Sequence, residues 1–251
     1  MVRSVHYDEG PAFAGLFICL AVANEKRVRE NRSRSAPIFI CIFVVMPFPL
    51  TLQTILLRGT QIELYVPDEE ALKDAYEKRT ILFPYWGKVW ASAQAMAEYL
   101  ILHPEYTANK TIIELGAGLG LPSLIAARNA ASVLCTDYEG EAVTVAQQSA
   151  LHHHLKNFSA EVLDWNAMPD HLAADVLMLS DINYEPAAFD ALMKIIMVFL
   201  QKGSTVILST PQRLMAKDFV ASLLVYCIAQ EEIQIEQEGT VAIITILVLE
   251  K

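Results

Sequence analysis

The segment Thr111-Ile-Ile-Glu-Leu-Gly-Ala-Gly-Leu-Gly120 constrains this chain more than any other. An apolar run closes on Glu114 and turns through Gly116, Gly118 and Gly120. Leu121-Pro122 then opens a helical run that continues to Ala130. That order predicts a strand, a tight glycine turn and a helix start. Glycine tolerates positive φ and lets a ligand come close to the backbone. A helix start offers unpaired N–H groups and the positive end of the helix dipole. A parallel strand ending this way places a ligand at its carboxyl edge.

The rest of the chain alternates in the same sense. Strands are expected over residues 111–115, 132–137, 160–164, 176–181 and 205–209, with helices over 121–130, 141–155 and 186–201 between them. Pro122 and Pro186 suit first-turn positions, and Gly203 suits a helix stop. Alternation of this kind predicts an α/β fold, a parallel sheet covered by helices on both faces. A last helix is expected over 214–229, then two strands over 232–238 and 241–250 joined at Gly239. Upstream, residues 51–66 read as a β-hairpin around Arg58-Gly59-Thr60, and 68–78 as a short helix. Residues 90–102 read as an amphipathic helix with Ala93, Met96, Ala97, Leu100 and Ile101 at helical spacing.

The 251 residues are 54% hydrophobic and 19% charged, a globular composition. The net charge of −10 argues against a nucleic-acid partner, which needs basic patches to neutralise phosphates. It suits a basic protein or peptide, or simple solubility. The four cysteines form no CxxC pair and no zinc spacing, as expected of reduced thiols in a cytoplasmic protein.

Residues 1–45 do not conform to the rest. They carry six basic and four acidic residues, against 13 and 25 in the remainder. Apolar runs over 12–23 and 38–46 flank a polar stretch, and each is too short for a bilayer, which needs about 20 residues. The first run resembles a weak signal peptide, opposed by Asp8 and Glu9. The expectation is one domain over 46–251 with translation starting at Met46, which makes 1–45 a gene-model extension; the alternative is a weak signal or anchor segment.

A dinucleotide would need GxGxxG, whereas Gly116-Ala-Gly118-Leu-Gly120 is GxGxG with Glu114 two residues before it. A carboxylate facing the ligand would repel a pyrophosphate and attract a cation. S-adenosylmethionine carries a sulfonium and an ammonium. Asp137, at the next strand end, can accept both ribose hydroxyls. Asp164 can accept from an adenine amino group and Trp165 can cover the ring. Each carboxylate alone has an ordinary alternative as a strand-end or helix-capping residue.

Glu114-Leu-Gly-Ala-Gly-Leu-Gly120, Thr136-Asp137-Tyr138, Leu163-Asp164-Trp165 and Asp181-Ile-Asn-Tyr184 together resemble the class I, seven-strand methyltransferases. More narrowly they resemble the protein-lysine methyltransferase branch with an Asp-x-x-Tyr motif after the fourth strand, and Tyr85-Trp86-Gly-Lys-Val-Trp90 fits that branch too. The resemblance covers about Leu52 to the C-terminus. It implies a doubly wound, mostly parallel seven-strand sheet with the last strand antiparallel. It implies S-adenosylmethionine as cofactor, with Trp90, Glu114, Gly116, Gly118, Asp137, Asp164, Trp165 and Ser180 around it. Asp181 and Tyr184 would be the catalytic pair at the mouth where the methyl is transferred, without a metal.

Methyl transfer from a sulfonium is an in-line displacement, so an acceptor lysine must first lose its proton, at a reference pKa of about 10.4. Asp181 would orient the acceptor and Tyr184 would wall it, with most of the rate from alignment. The ordinary alternative for Asp181–Tyr184 is a helix-opening turn. His152-His153-His154 reads as solvated surface, because consecutive helical side chains point apart. Arg213 reads equally as a substrate contact or as surface. Three functions stay open: a protein N-methyltransferase acting on lysine, a small-molecule N-methyltransferase, and a non-catalytic cofactor-binding module. The expected partner is a protein or a small amine, and the chain is expected to be monomeric, with no membrane span.

Overall fold

The structure is a computed structural model and describes residues 15–22, 38–81, 83–237 and 239–251. The chain divides into two units, Met1–Leu50 and Thr51–Lys251, each described by itself. In the first, β1 (Gly15–Val22) and β2 (Ile38–Val45) pair antiparallel, from Gly15 opposite Val45 to Val22 opposite Ile38. Both runs are rich in β-branched and aromatic residues, which favour strands. The N-terminal flank of the signal-like run and the whole polar stretch lie outside the described residues. Among the described residues no helix is long and apolar enough to cross a membrane.

The second unit begins with a hairpin of β3 (Leu50–Leu57) and β4 (Thr60–Pro67). Arg58 and Gly59 between them both have positive φ, 47° and 80°, as a tight two-residue hairpin turn requires. Next comes α1 (Glu69–Glu77), whose N-cap Asp68 accepts from the Ala71 N–H at 2.8 Å. The helix α2 (Ala91–Leu102) leads into the alternating part. There β5 (Thr111–Leu115), α3 (Leu121–Ala126), β6 (Ser132–Asp137), α4 (Gly140–His152), β7 (Phe158–Val162) and β8 (Val176–Ser180) follow one another. The chain ends with α5 (Phe189–Gln201), β9 (Thr205–Pro211), α6 (Lys217–Leu223), β10 (Cys227–Gln237) and β11 (Thr240–Leu249).

The seven strands lie in the order β10-β11-β9-β8-β5-β6-β7. All pairings are parallel except those of β11, which is antiparallel to both neighbours. Helices cover both faces. Ile113 and Leu115 of β5 enter a core with Leu192, Ile195, Ile196 and Phe199 of α5 and Phe219 and Leu223 of α6. The four α5 residues are spaced i, i+3, i+4 and i+7, one buried stripe, and each such side chain contributes about 1.5–3 kcal/mol by burial. The intervening residue, Glu114, therefore points to the opposite face, where α2, α3 and α4 pack.

Several boundaries differ from expectation. The helix expected over 121–130 stops at Ala126, because bonds from Arg128 N to Ile125 O and Asn129 N to Ala126 O tighten its last turn. The Asn157 side-chain amide then donates to the carbonyls of Ala127 and Ala130, both at 2.8 Å. The helix expected over 214–229 breaks up after Leu223, since pairing with β11 draws residues from Cys227 onward into β10. In α2 the buried residues are Ser92, Ala95, Met96, Ala97, Tyr99 and Leu100, so the expected Met96, Ala97 and Leu100 are inside while Ala93 and Ile101 are only partly covered.

The hairpin is fastened to the helices. Arg58 pairs with Glu98 at 2.6 Å, and the Tyr65 N–H donates to Ser149 Oγ at 2.9 Å. His152 Nε2 donates to the Glu63 carboxylate at 2.9 Å and His153 Nε2 to the Glu63 carbonyl at 2.5 Å. The histidine tract is thus not merely solvated surface: two of its rings are half-buried clamps on β4.

Candidate active site

The carboxyl ends of β5, β6, β7 and β8 open into one cleft of about 770 Å³, within the range of small-molecule sites. The glycine loop forms its floor. Gly116, Gly118 and Gly120 have φ of 61°, 55° and 73°. A Cβ on Gly116 would stand 2.9 Å from Ile182 and 3.2 Å from the Trp165 ring, so that ring lies directly against the loop. A Cβ on Gly120 would meet Cys135 Sγ at 3.0 Å and Ala146 at 3.1 Å. Gly120 therefore serves helix–sheet packing and Gly116 serves the cleft.

Of the residues expected at the site, Trp90, Gly116, Gly118, Asp137, Asp164, Trp165, Ser180, Asp181 and Tyr184 all line this cleft. Glu114 does not, and the expectation that its carboxylate faces the ligand is corrected. Its strand position turns it under the loop, where it is fully buried. Its Oε2 accepts from the Ser123 N–H at 3.0 Å and Oγ at 2.5 Å, and Oε1 from Ser180 Oγ at 3.3 Å. Burial raises its pKa to about 7, outweighing those three donors, which favour the ionised form. Glu114 ties the start of α3 to β8 and acts on the cleft through Ser180.

Asp137 holds the other side of the loop. Its Oδ2 accepts from the Gly118 N–H at 2.8 Å and Oδ1 from the Glu139 N–H at 3.0 Å. A carboxylate has about four acceptor positions, so both oxygens keep capacity for hydroxyls. Burial nonetheless raises its pKa against those hydrogen bonds. Asp164 caps the turn that carries Trp165: its Oδ1 accepts from the Asn166 N–H at 2.9 Å and side-chain amide at 3.0 Å. The ordinary capping role and a cleft-lining position coexist there.

At the mouth, Asp181 adopts a left-handed backbone, φ 59°, with its N–H donating to the Ser209 carbonyl at 2.9 Å. Side chains other than Gly, Asn and Asp pay of order 1 kcal/mol or more there. Its Oδ1 forms an ion pair with Arg213 Nη1, and Arg213 itself lines the cleft. Arg213 reads from sequence as either contact or surface, because its partner Asp181 follows a different strand. The Tyr184 ring lies 5.4 Å from that of Tyr85, which lies 4.5 Å from Phe83. Burial, then the charges of Glu185 and other neighbours, hold the Tyr184 hydroxyl above its usual pKa, so it stays protonated near neutrality.

Trp90 donates from Nε1 to the Tyr85 carbonyl at 2.6 Å, and Lys88 Nζ lies 4.1 Å over its ring centroid. Lys88, Glu139 and Glu185 also line the cleft and were not singled out from sequence. Their only signal is proximity to the Trp-Gly-Lys-Val-Trp, Thr-Asp-Tyr and Asp-x-x-Tyr motifs. The chemistry of the set fits an adenosine-bearing cation: acceptors at two strand ends, an indole face between them, and five carboxylates against two basic side chains.

Fold and site together define an S-adenosylmethionine-dependent methyltransferase of the doubly wound class. A model of the lysine methyltransferase family matches residues 85–224, more than half of the chain, and the chain belongs to that family. It is 28% identical over 144 residues to the histone-arginine methyltransferase METTL23 of Homo sapiens, covering 55% of this chain and 76% of that protein. It is 29% identical over 160 residues to the protein N-terminal and lysine N-methyltransferase EFM7 of Cryptococcus neoformans, covering 57% of this chain and about half, 52%, of that protein. Among solved structures, the N-methyltransferase NodS of Bradyrhizobium japonicum in complex with S-adenosyl-L-homocysteine superposes with a TM-score of 0.54 at 11% identity. That match covers 72% of this chain and 98% of NodS, and at this identity the likeness is one of fold.

Proposed function

We propose that this chain methylates a nitrogen atom of a protein, with a lysine side chain as the acceptor. The observation that carries the reading is the placement of the Asp181–Tyr184 turn. It opens into the same cleft as the adenosine-type residues, beside Arg213 and the Tyr85 ring. The relatives named above carry arginine, N-terminal and lysine acceptors in their names, all of them nitrogen nucleophiles.

When bound, the cofactor supplies an electrophilic methyl group on a sulfonium. Asp137 and Asp164 would hold the ribose and adenine, Trp165 would cover the ring, and Gly116 and Gly118 leave room for the methionine part. Ser180 lines the wall between loop and mouth. Tyr184 and Tyr85 give the acceptor an aromatic wall. Arg213 occupies one oxygen of Asp181, leaving the other to accept from the acceptor nitrogen. The Arg213 cation also disfavours a second cation beside it, which promotes the neutral, nucleophilic form of an amine. Tyr184, protonated near neutrality, positions the acceptor and does not remove its proton.

The test is transfer of radiolabel from the cofactor to cell extract, followed by mapping of the labelled residue. Labelled protein with the label on lysine supports the proposal. Label confined to small metabolites sinks it, as does label on arginine alone. In the same assay Asp181→Ala should abolish transfer while cofactor affinity stays within a few-fold. Full retained activity would remove Asp181 from the reaction.

A further inference from the structure

We propose that Lys88 receives the α-carboxylate of the methyl donor. The inference rests on the cleft being the donor site. The donor's methionine end carries a carboxylate as well as its two cations, and a carboxylate entering this cleft meets an unfavourable field. Asp137, Glu139, Asp164, Asp181 and Glu185 all line it, and like charges nearby penalise an anion.

A glycine loop would ordinarily supply backbone N–H groups for such an anion. Here three of those groups are committed within the protein. The Ala117 N–H donates to the Thr136 carbonyl at 2.9 Å, and the Gly118 N–H to Asp137 Oδ2 at 2.8 Å. The Gly120 N–H donates to the Ala117 carbonyl at 2.9 Å. With those three engaged, a side-chain cation is the strongest partner left for the carboxylate, and the cleft offers two, Lys88 and Arg213. Arg213 is engaged by Asp181. No ion pair joins Lys88 to a carboxylate among the described residues.

Lys88 is also placed at the right end of the cleft. A Cβ on Gly118 would stand 3.4 Å from the Trp86 carbonyl oxygen, so the segment leading to Lys88 crosses the loop where the methionine part would lie. The Trp90 ring under the ammonium is itself fixed by its bond to the Tyr85 carbonyl. A cation held on an aromatic face gives up little freedom when it takes an anionic partner.

Calorimetric titration with S-adenosylmethionine and with decarboxylated S-adenosylmethionine, which lacks only the carboxylate, tests this without a turnover readout. Wild-type protein should prefer the complete cofactor by about tenfold or more, as a charge-assisted hydrogen bond predicts. Lys88→Gln should weaken the complete cofactor by about that factor, leave the decarboxylated one within twofold, and so erase the preference. Lys88→Arg should restore part of it, and Arg213→Gln should keep it. The proposal is overturned if Lys88→Gln keeps the preference, if it weakens both ligands alike, or if Arg213→Gln is the variant that erases it. Wild-type protein that binds both ligands equally would overturn the carboxylate contact alone. Wild-type protein that binds neither would overturn the donor-site reading itself.

Discussion

Glu114 is a carboxylate that braces the cleft from beneath the glycine loop. In the folded chain it keeps its proton up to about pH 7, whereas an ordinary glutamate loses it near 4.5. Between those values the folded state holds more protons than the unfolded one, so this group's contribution to stability falls as pH rises through the window and then levels off. The shift corresponds to a few kcal/mol at most, at roughly 1.4 kcal/mol per pH unit. Glu114→Gln keeps an acceptor for Ser123 and removes the titration. Its thermal midpoint should lose less between pH 5 and pH 7.5 than the wild-type midpoint does. Parallel curves in a calorimetric pH series would contradict the assignment. At the mouth, Asp181→Asn separates backbone from charge, since Asn tolerates the left-handed conformation almost as well as Asp. It should leave the melting temperature nearly unchanged and lower kcat by about 100-fold, the lower end of what a positioned polar group contributes. An unchanged kcat would show that the carboxylate is dispensable.

At the level of elements, the glycine turn joins β5 to α3 with almost no space to spare. Gly120 combines a left-handed φ of 73° with Cβ clearances of 3.0 and 3.1 Å. Gly120→Ala should therefore cost about 2 kcal/mol from the backbone and the contact with Cys135 together. In a domain of this size that is a fall of about 4–8 °C in melting temperature, measurable by calorimetry. A rise in midpoint would mean that α3 can shift at no cost. Strands were the more legible elements, because an apolar run that runs into Glu114 or Asp137 marks its own end, although β7 covers Phe158–Val162 and stops two residues before the expected Asp164, and β8 stops at Ser180, one residue before the expected Asp181. Helix ends were less so. Ala127, Ala130 and Ala131 after Ala126 suit a continuing helix, and the Asn157 side chain, distant in sequence, caps the carbonyls where the helix stops. Residues 227–229 carry a helical pattern, and it is pairing with β11 that makes them a strand. The cleft was read residue by residue at strand ends, but the Asp181–Arg213 pair depends on β8 and β9 lying side by side, a fact of topology that spacing does not encode.

Over the molecule as a whole, the acidic balance is concentrated outside residues 1–45, with 13 basic against 25 acidic residues in the remainder. The proposal that residues 46–251 form a self-sufficient domain predicts that a chain starting at Met46 melts within about 2 °C of the full chain, less than a 1 kcal/mol change would produce. It should also bind the cofactor with equal affinity in calorimetry. Loss of either property would assign residues 1–45 a structural role. The internal bonding of the glycine loop has its own consequence for how the empty protein behaves. The Thr136 carbonyl, the Asp137 carboxylate and the Ala117 carbonyl already hold three of the loop's amides. Amides held that way exchange with deuterated solvent only when the structure opens. In protein free of cofactor, Ala117, Gly118 and Gly120 should thus exchange as slowly as the neighbouring strands, and saturation with ligand should slow them little further.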